Sequence, residues 1–380
     1  PTKCLPKAGS KKPNRLNKDI ARHVKARFCL NEGTHYKYHD ELEYASEAEK
    51  WLQMAATESD KLITSGRYEI YNTGHPQEDY FNMYRIDDKS DLKEAVLYVD
   101  YKTNIREHNM AAAGREAGCG FSKSFVESFL CSDGLPISLS NKYLGDETMR
   151  KETANRDPRL KQLILTNDFP TNVTDDLKDS TFVVNEDEFI TQHCFTGYRP
   201  IKGFNPIYSQ ALYMKSSFDG IAYRYAETLL INAEAKAELN TITNADLDRT
   251  VNQLRDRVGM PHLTVNVGFT DPKWPDWGYS LSPVLQEIRR ERCIELAGEG
   301  FRFNDLKRWK AGKLLNNVLT YVGKRKPDGN LAIVYPNYTN PDLSYQAGKS
   351  RTWEDKMYLY PIPTGELQRN PQLLPQNPGW

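Results

Sequence analysis

Seven charged side chains crowd one stretch of the chain: Glu287, Arg289, Arg290, Glu291, Arg292, Glu295 and Glu299. Paired carboxylates are what general acid and base catalysis requires, so any turnover would rest on Glu291, Glu295 or Glu299. Opposite charges three and four apart also stabilise a helix without catalysis, and arginine forks satisfy neighbouring carboxylates. The structural reading is favoured, and no enzyme is expected. Arg156, Asp157 and Arg159, with alternating charge around Pro158, predict a locked turn in the same way. His35 and His39 stand four apart, the spacing two metal ligands on one helix face need, but a lone pair reads as hydrogen-bonded or solvated, and no metal is expected. Gly114, Gly118 and Gly120 make a Gly-rich stretch with no Lys-Ser/Thr pair after it, which predicts a surface loop and not a phosphate cradle. Neither G-x-S-x-G nor H-E-x-x-H occurs, and no cofactor is expected.

A different chemistry is offered by aromatic residues in polar, Gly/Pro/Asn-rich stretches. These are Tyr80, Phe81 and Tyr84, the segment from Tyr101 to His108, then Trp274, Trp277 and Tyr279, and finally Tyr335, Tyr338 and Tyr345. Rings on loops are costly to leave wet, so each covers core, meets a partner or stacks on a ligand. Sugar rings suit the last role, because their C–H faces lie on an aromatic plane while Asn, Asp, Arg and Lys bond the hydroxyls. The candidate ligand-binding residues are Trp274, Trp277, Tyr279, Tyr101, Asn104, His108, Tyr80 and Tyr84. The Trp274–Tyr279 group leads them, since three large rings within six positions cannot easily all point inward.

The rest of the chain must position these groups. At 380 residues it exceeds what one core usually absorbs, which favours two or three structural units. Fifty-one basic against 51 acidic residues leave no net field to gather nucleic acid, and 22 Tyr, 14 Phe and 6 Trp exclude a disordered chain. No apolar run is long enough to span a bilayer. The six cysteines never form C-x-x-C and read as packing residues, with a Cys119–Cys131 disulfide left open.

Periodicity predicts a helix over Asn17–Leu30, with Ile20, Val24 and Phe28 as its apolar face and Gly33 as its stop, and a second over Ser46–Thr64. Tyr68–Tyr71 and Ala95–Val99 read as brief strands or extended loop. Further helices are expected over Tyr223–Leu239, Asn244–Val258 and from the Ser282-Pro283 start to Ala297. Small residues at their seams suggest tetratricopeptide-like pairs, so the fold class is mainly α with an irregular, loop-rich region packed on the helices. The expected units are a hairpin over 1–66, an irregular and candidate ligand-binding part over 67–221, helices over 222–312, and an extended segment over 313–380, with Tyr358–Pro363 packed onto a core.

Several strings resemble the SusD/RagB family of outer-membrane nutrient-binding lipoproteins. They are Ser124–Gly134, ending in Asp-Gly; Asn155-Arg-Asp-Pro-Arg-Leu160; Arg224–Ala235; Val251–Pro261; Ile288–Gly300 continuing to Asp305-Leu-Lys-Arg-Trp309; and the ending from Pro361-Ile-Pro to Gly379. The resemblance implies a scaffold of tetratricopeptide-like pairs and no catalysis. It also implies surface capture of an oligosaccharide, or of a peptide as in RagB, for a SusC-like TonB-dependent transporter. Membrane contact would be by lipid anchor alone, from a lipidated Cys in sequence ahead of Pro1; Cys4 does not look like that site. A structural partner-binding helical-repeat protein is the other class left open. The family holds its ligand residues in no fixed motif, so none is carried over by position.

Overall fold

Asn17 begins the first helix by accepting hydrogen bonds from Asp19 N and Ile20 N through its side-chain oxygen. The computed structural model describes residues 14–110, 120–191, 193–333 and 352–380. Helix α1 (Lys18–Tyr38) runs straight through Gly33, where the sequence predicts a stop. The glycine is there for another reason. A Cβ at position 33 would lie 2.8 Å from Leu52 Cγ and 2.9 Å from Leu52 N of helix α2 (Ala48–Ile63), so its absence lets the two helices approach closely. The face of α1 that is buried carries Ile20, His23, Ala26, Cys29, Leu30 and Thr34. Val24 and Phe28 of the predicted apolar face are instead exposed, at 41% and 55%.

Helix α3 (Asp79–Arg85) carries Tyr80, Phe81 and Tyr84, which the sequence reading places on a loop. Helix α4 (Tyr225–Glu238) lies against α2 and touches α1, and nearly all its residues are buried. The single helix expected over Asn244–Val258 is two, α5 (Asn244–Asp248) and α6 (Val251–Arg257). Thr250 breaks it at φ −130°, ψ −94°, with its hydroxyl donating to Asp246 O at 2.6 Å. Leu247, Val251, Leu254 and Val258 still point inward as their spacing predicts. Helix α7 (Pro283–Glu295) starts with Ser282 Oγ accepting from Leu285 N and packs on α4; α8 (Arg302–Arg308) follows.

The irregular region is tied to this scaffold by an antiparallel ladder. Strand β1 (Ala95–Val99) pairs with β2 (Gly220–Arg224), Ala95 opposite Arg224 and Val99 opposite Gly220, so the region returns to the helices where α4 begins. Of the two readings of Tyr68–Tyr71, strand or loop, the loop is the one that forms. The region has its own core, including Tyr80, Phe129, Leu163, Tyr198 and Phe218, distinct from those of the helices. At the end of the chain Trp353 and Tyr358 are buried, while Tyr360 is 69% exposed with Lys307 Nζ 4.0 Å from its ring centroid, and a short helix over Thr364–Arg369 follows.

Candidate functional site

The charged helix resolves into a buried ion network. Glu295 accepts from Arg224 Nη1 and Arg257 Nη2, both at 2.6 Å, and from Arg159 Nη1 at 3.1 Å. Glu291 accepts from Arg159 and from Arg255 Nε at 3.1 Å. Burial works against an ionised Glu295, yet Arg257, Arg224 and Arg159 outweigh it and hold the carboxyl well below the usual carboxylate range. A general acid must hold a proton near neutrality, and Glu295 does not. Helix α4 repeats the device: Glu227 binds His23 and Arg27, Glu234 binds Arg308, and Glu238 binds Lys37 and Arg289. Arg159 also donates to Asp157 at 2.7 Å while Arg156 donates to Val126 O and Phe129 O, which locks the turn around Pro158.

Directly above this network a cleft of about 1020 Å³ opens between the outer face of α1 and the loop after α7. Helix α1 supplies Val24, Arg27, Phe28 and Asn31, and the facing wall supplies Glu299, Phe301 and Asn304. Lys202, Gly203 and the start of β2 line it between them, with Met110 also on its lining. Gly298 and Gly300, at φ 74° and 83°, turn the chain on either side of Glu299, so that its carboxylate points back to Arg224 and Lys202. Lys202 Nζ donates to Tyr80 OH at 2.8 Å, to Glu299 Oε1 at 2.6 Å and to Ala297 O at 2.8 Å. Burial lowers its pKa to about 8. Phe301 lies between two guanidinium groups, with Arg27 5.0 Å and Arg292 5.4 Å from its ring centroid.

The rim is a pair of laced segments. His108 and Ser216 exchange backbone hydrogen bonds at 2.9 and 3.1 Å, and Thr103 Oγ1 donates to Ser217 Oγ at 3.1 Å. Asp219 anchors them, accepting from Lys89 N at 3.0 Å and Tyr101 N at 2.7 Å. Tyr208 and Tyr213 stand outward here, Tyr213 at 74% exposure.

The eight candidates from the sequence fall into two places. Tyr84 lines the cleft, its hydroxyl donating to Glu299 at 3.1 Å, and Tyr80 lies beneath it, fully buried, donating to Glu295 O at 2.6 Å. Tyr101 packs edge-on to His108 at 4.4 Å on the rim, where Asn104 is exposed at φ 63°. Trp274, Trp277 and Tyr279 are not brought to the cleft. Trp274 Nε1 donates to Glu287, Trp277 is buried edge-on to Trp309, and Tyr279 stacks on Tyr38 at 4.3 Å while donating to Trp309 O. Tyr279 covers the far end of α1, while both tryptophans bond to α7.

Residues the sequence reading missed are Phe28, Asn31, Phe301 and Asn304. The apolar spacing of Val24 and Phe28 was the available signal, and it reads equally well as core. His35 and His39 stack at 4.1 Å, with His39 held by Glu41 and Lys307 O, and the described residues hold no cluster of three or more metal-ligating side chains. Gly114, Gly118, Cys119, Tyr335, Tyr338 and Tyr345 lie outside the described residues. Cys131 is a buried free thiol.

Helical pairs carrying a loop-built cleft over a buried ion network define a mainly α binding scaffold. The profile of the SusD family matches residues 57–380, and the chain belongs to that family. SusD-like protein P2 of Formosa agariphila is 33% identical over 166 residues, a stretch that makes up 44% of this chain and 27% of that relative's length. A SusD-like protein of Bacteroides fragilis superposes with a TM-score of 0.68 at 24% identity, over all of this chain and 68% of its own. A SusD-like carbohydrate binding protein of the same species gives 0.63 at 22% identity, covering 98% of this chain and 67% of its own. Surface glycan-binding protein A of Bacteroides fluxus gives 0.52 at 18% identity, over 98% and 64%.

Proposed function

We propose that this chain is a non-catalytic, surface-displayed glycan-binding protein that holds an oligosaccharide in the cleft beside α1 and passes it to a SusC-like TonB-dependent transporter in the outer membrane. The observation that carries the reading is Phe28, a ring left half in water on the cleft wall, with Phe301 across from it and Asn31 and Asn304 beside them. That arrangement gives apolar planes for sugar C–H faces and amides for hydroxyls. Membership of the SusD family and the fold shared with a carbohydrate binding protein support it. The carboxylates on the cleft are engaged by cations or backbone N–H groups, which supports binding without turnover. No helix among the described residues is long and apolar enough to cross a membrane, and attachment in this reading is by a lipid anchor.

Calorimetry of the chain against a panel of oligosaccharides and peptides tests the reading. At least one oligosaccharide should bind, and Phe28→Ala should weaken it about ten-fold, the equivalent of ~1.4 kcal/mol of ring contact. Binding of peptides and of no glycan would replace the sugar reading with a peptide one. Binding of neither would leave a partner-gripping helical protein.

A further inference from the structure

We propose that the oligosaccharide preferred by this cleft carries an anionic group, a carboxylate or a sulfate ester, recognised by Arg27 and Arg292 on either side of Phe301. The inference rests on the glycan reading above and narrows it to acidic sugars.

It comes from matching donors to acceptors on the cleft walls. The carboxylates are in use. Glu299 takes bonds from Arg224, Lys202 and Tyr84, Asp305 takes one each from Arg292 Nε and Arg308 Nε at 2.9 Å, and Asp219 takes two backbone N–H groups. The spare capacity is cationic. Arg292 is 4% exposed, and its Nη1 has no hydrogen-bond partner among the described residues. Arg27 engages Glu227 through Nε and Nη2, which leaves its Nη1 edge, and its side chain is 33% exposed. A buried guanidinium donor left unpaired is costly, and a charged acceptor satisfies it better than a hydroxyl. Other arginines with unpaired nitrogens, Arg156, Arg257 and Arg289, lie off the cleft lining, so Arg292 is the one of the four that lines it. Phe301 holds the two cations at one place on the wall, where a single anion can meet their charge. A ligand bringing a positive charge would find the carboxylates of the described walls already engaged.

The test uses three probes of one backbone: a neutral oligosaccharide, its uronate-containing form and its sulfated form, each titrated calorimetrically at low and high salt. One or both acidic forms should bind at least ten-fold more tightly than the neutral form, the advantage shrinking as salt rises. Whichever acidic form holds the advantage identifies the anion. Arg292→Gln also removes a bond to Asp305 and risks the fold, so Arg27→Gln, after which Glu227 keeps His23, is measured beside it. Either variant that melts cooperatively should lose most of the acidic preference. Equal binding of neutral and acidic forms overturns the inference and leaves the glycan reading standing. No binding of any form overturns both.

Discussion

Three guanidinium groups depend on Glu295, which makes this single carboxylate the most consequential side chain in the network. Glu295→Gln leaves them short of a counter-charge in a buried setting, and such a break costs about 3–5 kcal/mol. The urea midpoint should fall accordingly. Acid should act on other groups first. Burial and the neighbouring His39 lower His35 to about 4 from 6.5, so its neutral form is favoured in the fold. Its contribution is full above pH 6.5 and is lost as pH falls toward 4. Glu227 is held at about 2 against an ordinary 4.5, because His23 and Arg27 outweigh the burial that would raise it. Its contribution is full above pH 4.5 and is lost between 4.5 and 2. The melting temperature should therefore be level between about pH 6.5 and 8, where the lowered Lys202 begins to titrate, decline below pH 6.5 and drop more steeply under pH 4.5. A level profile down to pH 3 would contradict both assignments.

Elements were legible where caps and periodicity agreed. Ser282-Pro283 marked the start of α7, and the leucine and valine spacing of α5 and α6 placed their buried face, although not the break that Thr250 makes. Helix α3 was illegible because seven residues give fewer than two periods, and its Tyr and Phe read as loop aromatics. Gly33 misled for a physical reason: a glycine ends a helix by its backbone freedom but permits close packing by its missing side chain, and the sequence does not say which. Gly33→Ala decides it. Helix propensity alone would gain about 1 kcal/mol. The overlap with Leu52 N, a backbone atom that cannot turn aside, should cost about 1–3 kcal/mol and win. A rise in melting temperature would refute the close-approach argument. Ser282→Ala, which removes the cap on α7, should lower stability by about 1 kcal/mol in the same assay.

At the scale of the whole molecule the cleft could not be read from the chain, because its walls come from residues 24–31, 200–203, 219–222 and 298–305, which only the fold brings together. The ring-rich Trp274–Tyr279 segment drew attention by density, yet its rings pack on α7 and on the far end of α1, while one phenylalanine on a helix lines the opening. Asp219 gives this arrangement one more property. It holds the rim through the backbone amides of Lys89 and Tyr101, contacts that do not depend on which side chains the loop after Tyr101 carries. The loop over residues 102–107 is thus an exchangeable cassette on a fixed socket. Transplanting a loop of equal length and different sequence there should change which glycans bind while the melting temperature moves by less than about 2 °C, in line with the small cost of surface substitutions. Asp219→Ala, in contrast, should loosen the rim for every ligand at once, so ligand choice and the ability to hold any ligand can be altered separately.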